Sequence, residues 1–424
     1  MAIAQIHRCH KFPQIFNPDL GPIATSPPLA GGGGDLEEVA GWGPGTQTHL
    51  RSSDISNRSF DPCSLIPFIA GSISSPAHTG IYSIDSPVLA LKGLLEGSSV
   101  RLGEDGLSLY EQGGYGRPVA GGLSLSPEEA LYLVHRDKIT VTGTDFDTLL
   151  ALFSDRKGFF RSYLVYRDIR ERGYVVQPGP HDFRVFRRGQ KPGRGRSQYL
   201  VRVLSERDLV NFEVMTAEAT ASLHMRKQHV LAVVDDENEL TYYEVKLQNL
   251  PPLGERAPLV STTATLFGSS AIVKTPAPST LEEAFFGKRL DSERLILSHM
   301  ETVYLMQKGE LALKRDDQVL SPEEYTRIAG ATDVELAEKS QVYASLRDRG
   351  YIPRTGYKFG HHFRVYVGMK SHSDLLVHAI PQGTALPMST ISRSVRLAHS
   401  VKKKMLFAYV HNTTEYIEFA RIKL

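Results

Sequence analysis

At roughly 100–200 residues per domain, a chain of 424 residues, 41% hydrophobic and 23% charged, has room for two to four folded units. Its 49 Lys plus Arg against 47 Asp plus Glu leave a net charge of +2, so a polyanionic partner has to be argued from local clusters. Cys9 and Cys63 alone exclude a disulfide framework, no apolar run approaches the ~20 residues that span a bilayer, and His7, Arg8 and His10 interrupt any secretory signal, so a soluble, cytoplasmic protein without a membrane partner is expected.

Residues 1–78 contain Pro27-Pro28, the run Gly31 to Gly34 and many serines, with no sustained period. Such composition reads as a disordered extension or an upstream mis-start, with the lone Trp42 incidental or a peptide anchor. From about residue 79 the pattern turns regular and occurs twice. Tyr115-Gly116-Arg117 precedes a helix opened by Ser126-Pro127-Glu128-Glu129, with proline in the first turn and acids at the positive end of the dipole. A second helix runs through Tyr166-Arg167-Asp168-Ile169-Arg170 to Gly173, where glycine can take the left-handed position. Alternating strands follow at 183–186, 199–203, 231–234 and 241–245, with a helix predicted at 216–228. A proline-rich linker, 251–262, leads to the second copy.

There Phe286-Gly287-Lys288 precedes the stretch 297–305, and Tyr343-Ala344-Ser345-Leu346-Arg347 leads to Gly350. Strands are predicted at 363–366, 375–380, 406–410 and 416–422, with a helix at 391–403. The matched landmarks keep a near-constant separation, which indicates duplication. The expected fold class is α+β: two tandem repeats, each a small αβ head and a mixed-sheet, nuclease-like αβ body. The boundaries are heads at 79–155 and 263–338 and bodies at 156–250 and 339–424.

Comparing the copies isolates chemistry from shape. Tyr366 in the second stands where the first has Phe186; His372 is matched to Ser197, and Lys403, at the end of a predicted helix, to Lys227. Each alone has a plain structural explanation, as a core ring, a strand-entry imidazole or a solvated helix end. Together, without a carboxylate cluster, they suit phosphoryl transfer with an internal nucleophile, such as the 2′-hydroxyl of RNA. A phenolate takes the 2′ proton, an imidazolium protonates the departing 5′ oxygen, and an ammonium steadies the transition state. Tyrosine, with an ordinary pKa near ~10, needs nearby cations to act as that base.

The segments 358–366, 372–378 and 395–406, read as Lys-Phe-Gly-His-His-Phe-Arg-Val-Tyr, His-Ser-Asp-Leu-Leu-Val-His and Val-Arg-Leu-Ala-His-Ser-Val-Lys-Lys-Lys-Met-Leu, resemble the archaeal tRNA-splicing endonuclease. The duplication over roughly 85–424 is similar to that family's two-repeat, homodimeric form. The resemblance implies cleavage of precursor tRNA at a bulge–helix–bulge, as a tRNA-intron lyase leaving 2′,3′-cyclic phosphate and 5′-hydroxyl ends, with no metal and no cofactor. It implies Tyr366 as base, His372 as acid and Lys403, chosen among Lys402 to Lys404, as the stabilising cation. Arg396 and Arg421 would clamp a flipped bulge base, a role the first copy's Thr220 cannot fill. The turn Asp235-Asp236-Glu237 would dock into the partner's catalytic copy. Arg187-Arg188, the segment 191–196 and Lys402 to Lys404 are basic clusters that can track phosphate. Two rivals remain: a metal-dependent nuclease using Asp374 with His372 or His378, and a non-catalytic RNA-binding or assembly subunit.

Overall fold

The computed structural model describes residues 90–254, 256–274, 280–368 and 372–424. The reading of 1–78, with Trp42 and both cysteines, lies outside these residues. The expected pair of αβ repeats is present, each with a head and a body.

The first head is a five-stranded mixed sheet in which Leu91–Glu96 runs parallel to Ile139–Val141, packed against the helix Pro127–His135. The second is six-stranded, with Thr262–Phe267 parallel to Leu311–Arg315 and the helix His299–Gln307. Both helices open with a capping box, Ser126 with Glu129 and Ser298 with Glu301. Both carboxylates are buried because each also accepts a backbone N–H from the landmark glycine, Gly116 at 2.9 Å and Gly287 at 3.0 Å. These glycines sit at φ +65° and +68°, and a Cβ there would approach Ser124 O to 2.7 Å and Leu295 Cγ to 2.6 Å.

The aromatic before each glycine receives a guanidinium from the body's helix. Arg170 lies 3.6 Å from the Tyr115 ring centroid and Arg347 lies 3.9 Å from that of Phe286. Arg170 also donates to Gly113 O, and Arg347 to Ala284 O and Phe285 O. The repeated landmarks are therefore head-to-body fasteners, which is why both copies keep them.

The bodies share one ten-stranded sheet. In chain order its strands are β1 (Val176–Pro178), β2 (Phe183–Phe186), β3 (Ser197–Ser205), β4 (Gln228–Val234) and β5 (Leu240–Gln248) in the first copy. The second contributes β6 (Ile352–Thr355), β7 (Phe363–Tyr366), β8 (Leu375–Pro381), β9 (Lys404–Val410) and β10 (Thr414–Ile422). The order across the sheet is 6-7-8-9-10-5-4-3-2-1, so the copies meet last strand to last strand. β5 and β10 pair antiparallel from Tyr242 opposite Ile422 to Gln248 opposite Tyr416.

Helices α1 (Phe159–Glu171) and α3 (Leu336–Asp348) link the heads to the sheet, and α2 (Phe212–His224) and α4 (Met388–Ser400) cover the shared apolar layer. There Phe212 of the first copy meets Phe407 and Phe419 of the second at centroid distances of 5.4 and 6.2 Å. Each such buried ring contributes roughly 2–3 kcal/mol, so the two bodies form one core. The short strands preceding α2 and α4, Leu209–Asn211 and Ala385–Pro387, also pair with each other.

Helices α2 and α4 begin and end three or four residues before their predicted positions. Each stops in a Schellman turn with a non-glycine residue in the left-handed region, Arg226 at φ +55° and Lys402 at φ +56°. Lys403 N–H reaches Ala398 O at 2.8 Å, and Lys227 N–H reaches Ser222 O at 2.9 Å. Lys403 is thus not on the helix. It occupies the turn into β9, held by a backbone conformation that costs about 1 kcal/mol for a residue with a side chain.

Candidate active site

In the second copy a cleft of about 1150 Å³ is lined by His372, Ser373, Asp374, Leu375, His399, Ser400 and Lys402 to Lys404. Lys403 Nζ donates to Ser373 O at 2.5 Å, which fixes the ammonium against the strand entry and leaves its other protons for a ligand. His372 is exposed at the mouth.

Tyr366 ends β7, half-buried, with the Arg364 guanidinium 5.8 Å from its ring centroid. Hydrogen bonds on either side of it reach one residue: Asp374 N–H donates to Val365 O at 2.9 Å, and Val367 N–H to Asp374 Oδ2 at 3.0 Å. Lys404 N–H donates to Asp374 O at 3.1 Å. Asp374 therefore stitches the strand carrying Tyr366, the segment after His372 and the turn carrying Lys403 into one corner. His372 and Lys403 share the cleft, and Tyr366 stands on the adjoining strand end. Part of the Tyr366–His372 connection lies outside the described residues.

Arg396, exposed on α4, is one helical turn before His399 and Ser400 and so on the face that borders the cleft. Arg421, also exposed, sits opposite Tyr243 on the seam strand β10 and does not line the cleft. In the turn between β4 and β5, Asp235 Oδ1 accepts the N–H groups of Glu237 and Glu239, and Asp236 pairs with Arg207. Asp235 thus shapes the turn that presents Asp236 and Glu237 to solvent.

The register corrects one match between the copies. Leu375 faces Lys404 in the parallel pair β8–β9, and Tyr199 faces Gln228 in β3–β4. Lys403 contacts Ser373 O just as Lys227 contacts Ser197 O, each across the same interval of 30 residues. Ser197 is therefore the counterpart of Ser373, and the counterpart of His372 is Arg196. A bulge hid this: Phe186 opposes Ser197 while Val185 opposes Tyr199, and the loop 187–196 is longer than its equivalent. The interval from lysine to serine was legible in the sequence and would have set the alignment.

His378 is not a companion of Asp374. It stacks on His362 at 4.0 Å between centroids, next to His361 at 5.6 Å. His362 Nδ1 accepts from Ala379 N–H at 3.0 Å, which leaves its proton on Nε2, 3.4 Å from Glu335. Burial, reinforced by the neighbouring imidazoles, holds His361 and His378 down at about 4. Between the ordinary value of about 6.5 and 4, the unfolded chain binds protons that the folded chain refuses. Their contribution is thus present above pH 6.5 and lost as the pH falls to 4. Thermal unfolding is expected to show a fall on the order of 2–3 kcal/mol per ring over that window, shallower in His378→Asn; equal slopes for both proteins would refute this.

Among the described residues, the side chains grouped closely enough to hold a metal ion are His181, Glu218 and His229, with donor atoms within 4.8 Å of one another. Arg202 already engages Glu218, and the group belongs to the first copy and does not line the cleft.

Family models agree with the twofold architecture. The tRNA intron endonuclease catalytic C-terminal domain matches residues 159–242 and 336–419, and the corresponding N-terminal domain matches 91–150 and 262–326. The tRNA-splicing endonuclease of Methanococcoides burtonii is 39% identical over 336 residues, covering 74% of this chain and 94% of its own. That of Methanosarcina acetivorans is also 39% identical, over 79% of this chain and all of its own, and that of Natronomonas pharaonis is 33% identical over 77% and 97%. Two heads, two bodies and these relatives place the chain in the tRNA intron endonuclease family, as a member that carries both domains twice.

Proposed function

We propose that this protein excises introns from precursor tRNA by cutting both strands of a bulge–helix–bulge, one cut per working cleft. The second copy carries the chemistry. Tyr366 accepts the 2′ proton, the 2′ oxygen attacks the adjacent phosphorus, His372 protonates the 5′ oxygen as it leaves, and Lys403 faces the charge that builds on the phosphoryl oxygens. The bond to the 5′ oxygen breaks as the bond to the 2′ oxygen forms, giving a 2′,3′-cyclic phosphate and a 5′-hydroxyl without a metal ion. Lys403 suits its role because one proton is engaged by Ser373 O and the others meet no fixed acceptor among the described residues.

The observation that carries this reading is the contrast between the copies: phenol, imidazole and ammonium in one, and phenyl, guanidinium and ammonium in the other. A guanidinium cannot release its proton at neutral pH, so Arg196 cannot do what His372 does.

Two cuts on one substrate require two working clefts at a fixed separation, which a symmetric homodimer of this cytoplasmic protein supplies. The Asp235–Glu237 turn suits docking against the basic cleft of the partner, and Arg396 and Arg421 suit stacking on an unpaired base. The test incubates the full chain with intron-containing precursor tRNA in EDTA and determines the end groups. Cyclic phosphate and 5′-hydroxyl ends are expected. Ends of 3′-hydroxyl and 5′-phosphate, or activity lost in EDTA and restored by magnesium, would favour the metal-dependent rival.

A further inference from the structure

The first copy has a cleft at the position equivalent to that of the second, about 800 Å³ in volume. Its lining includes Arg184, Arg187, Arg196, Arg226 and Lys227, and no carboxylate. None of the five cations makes an ion pair among the described residues. Arg184 and Arg187 donate instead to the neutral amides of Gln177 and Gln198, at 2.8 and 3.0 Å, and Lys227 to Ser197. Arg184 Nε is buried without a partner among the described residues. Burial, then the charges of Arg184 and Arg196, push the Lys227 ammonium below its ordinary value.

Like charges gathered around an open cleft raise one another's energy, and a bound anion removes that penalty. The working cleft is differently balanced, because Asp374 lines it and its first-copy counterpart is Gln198. The loop 187–196 adds to the cationic wall, and its Lys191 donates to Glu111 O of the first head. At the positions that match the second copy's phenol and imidazole this cleft has the phenyl of Phe186 and the guanidinium of Arg196, which cannot exchange a proton at neutral pH but can pair with a phosphate.

We propose that the retired cleft holds the sugar–phosphate backbone of the precursor RNA and does not cut it, serving as a second anchoring site in each chain. This rests on the nuclease reading above. Guanidinium forks pair with phosphate oxygens in two-point geometry and read no sequence, which suits a substrate recognised by shape.

The test uses the full chain and two double variants, Arg187→Gln with Arg196→Gln and Arg187→Lys with Arg196→Lys. Affinity for a bulge–helix–bulge RNA carrying 2′-deoxy residues at the scissile positions is measured across a salt series, and single-turnover cleavage of the all-ribose RNA is measured at saturation. The glutamine variant is expected to bind roughly tenfold more weakly, with a salt slope shallower by about 0.9 for each phosphate it no longer neutralises. Its cleavage rate at saturation should stay within about twofold of the parent, because both residues lie outside the working cleft. The lysine variant should recover most of the slope, which a merely structural role would not allow.

An unchanged affinity and slope in the glutamine variant overturns the proposal, and so does weakened binding with the parental slope. A parent chain that fails to cut the RNA sinks the nuclease reading itself. A parent that cuts normally beside an unaffected glutamine variant sinks this inference alone.

Discussion

Tyr366→Phe is expected to lower the rate of RNA cleavage by roughly 100- to 10,000-fold while affinity for the uncut RNA stays within a few-fold of the parent. The substitution deletes one oxygen and reproduces the first copy, where Phe186 occupies the matching strand end. β7 should keep its place, since the bonds to Asp374 that flank Tyr366 come from the backbone of Val365 and Val367. The effect therefore reports the hydroxyl and not the fold. Single-turnover rates at saturating RNA, with circular dichroism to confirm structure, are the measurement. A variant that cuts at the parental rate would favour a base elsewhere and would remove the strongest distinction between the copies.

Replacing His372 by glutamine is expected to cost a similar factor, roughly 100-fold or more, with a different signature. A general acid matters in proportion to how badly the leaving group needs a proton. An RNA whose 5′ oxygen at the cut is replaced by sulfur leaves as a thiolate and needs none. With that substrate His372→Gln should recover most of the parental rate, whereas Tyr366→Phe should stay slow. If sulfur rescues neither variant, His372 is not the proton donor, and Lys402 to Lys404 become the groups to examine.

The paired landmarks were readable because each copy must fasten its head to its body with the same groups. The ring before the left-handed glycine, the capping-box glutamate and the helix arginine are mutually dependent, so all of them survive duplication. The eight predicted body strands were readable for a related reason: strands buried on one or both faces demand alternating or continuous apolar side chains. Helix ends were less legible. Arg226 and Lys402 hold left-handed turns that sequence rules assign to glycine, so both helices end earlier than the sequence pattern predicts.

The first-copy counterpart of His372 is hidden from the sequence for a physical reason as well. A bulge and a longer loop change the residue count without changing the strands on either side, and only hydrogen-bond register recovers the match.

The sequence by itself determined that the chain is a duplicated αβ protein and that one copy retains a phenol and an imidazole the other lacks, because periodicity and residue identity are local properties. Only the tertiary structure decided that the two bodies are one ten-stranded sheet, sealed last strand to last strand over a common aromatic layer. It also decided that Asp374 ties the strand carrying Tyr366 to the turn carrying Lys403, and that the first copy gathers five cations around an open cleft with no ion pair among the described residues. Those outcomes depend on which chain segments meet, and no local pattern records a meeting between residues far apart in the chain.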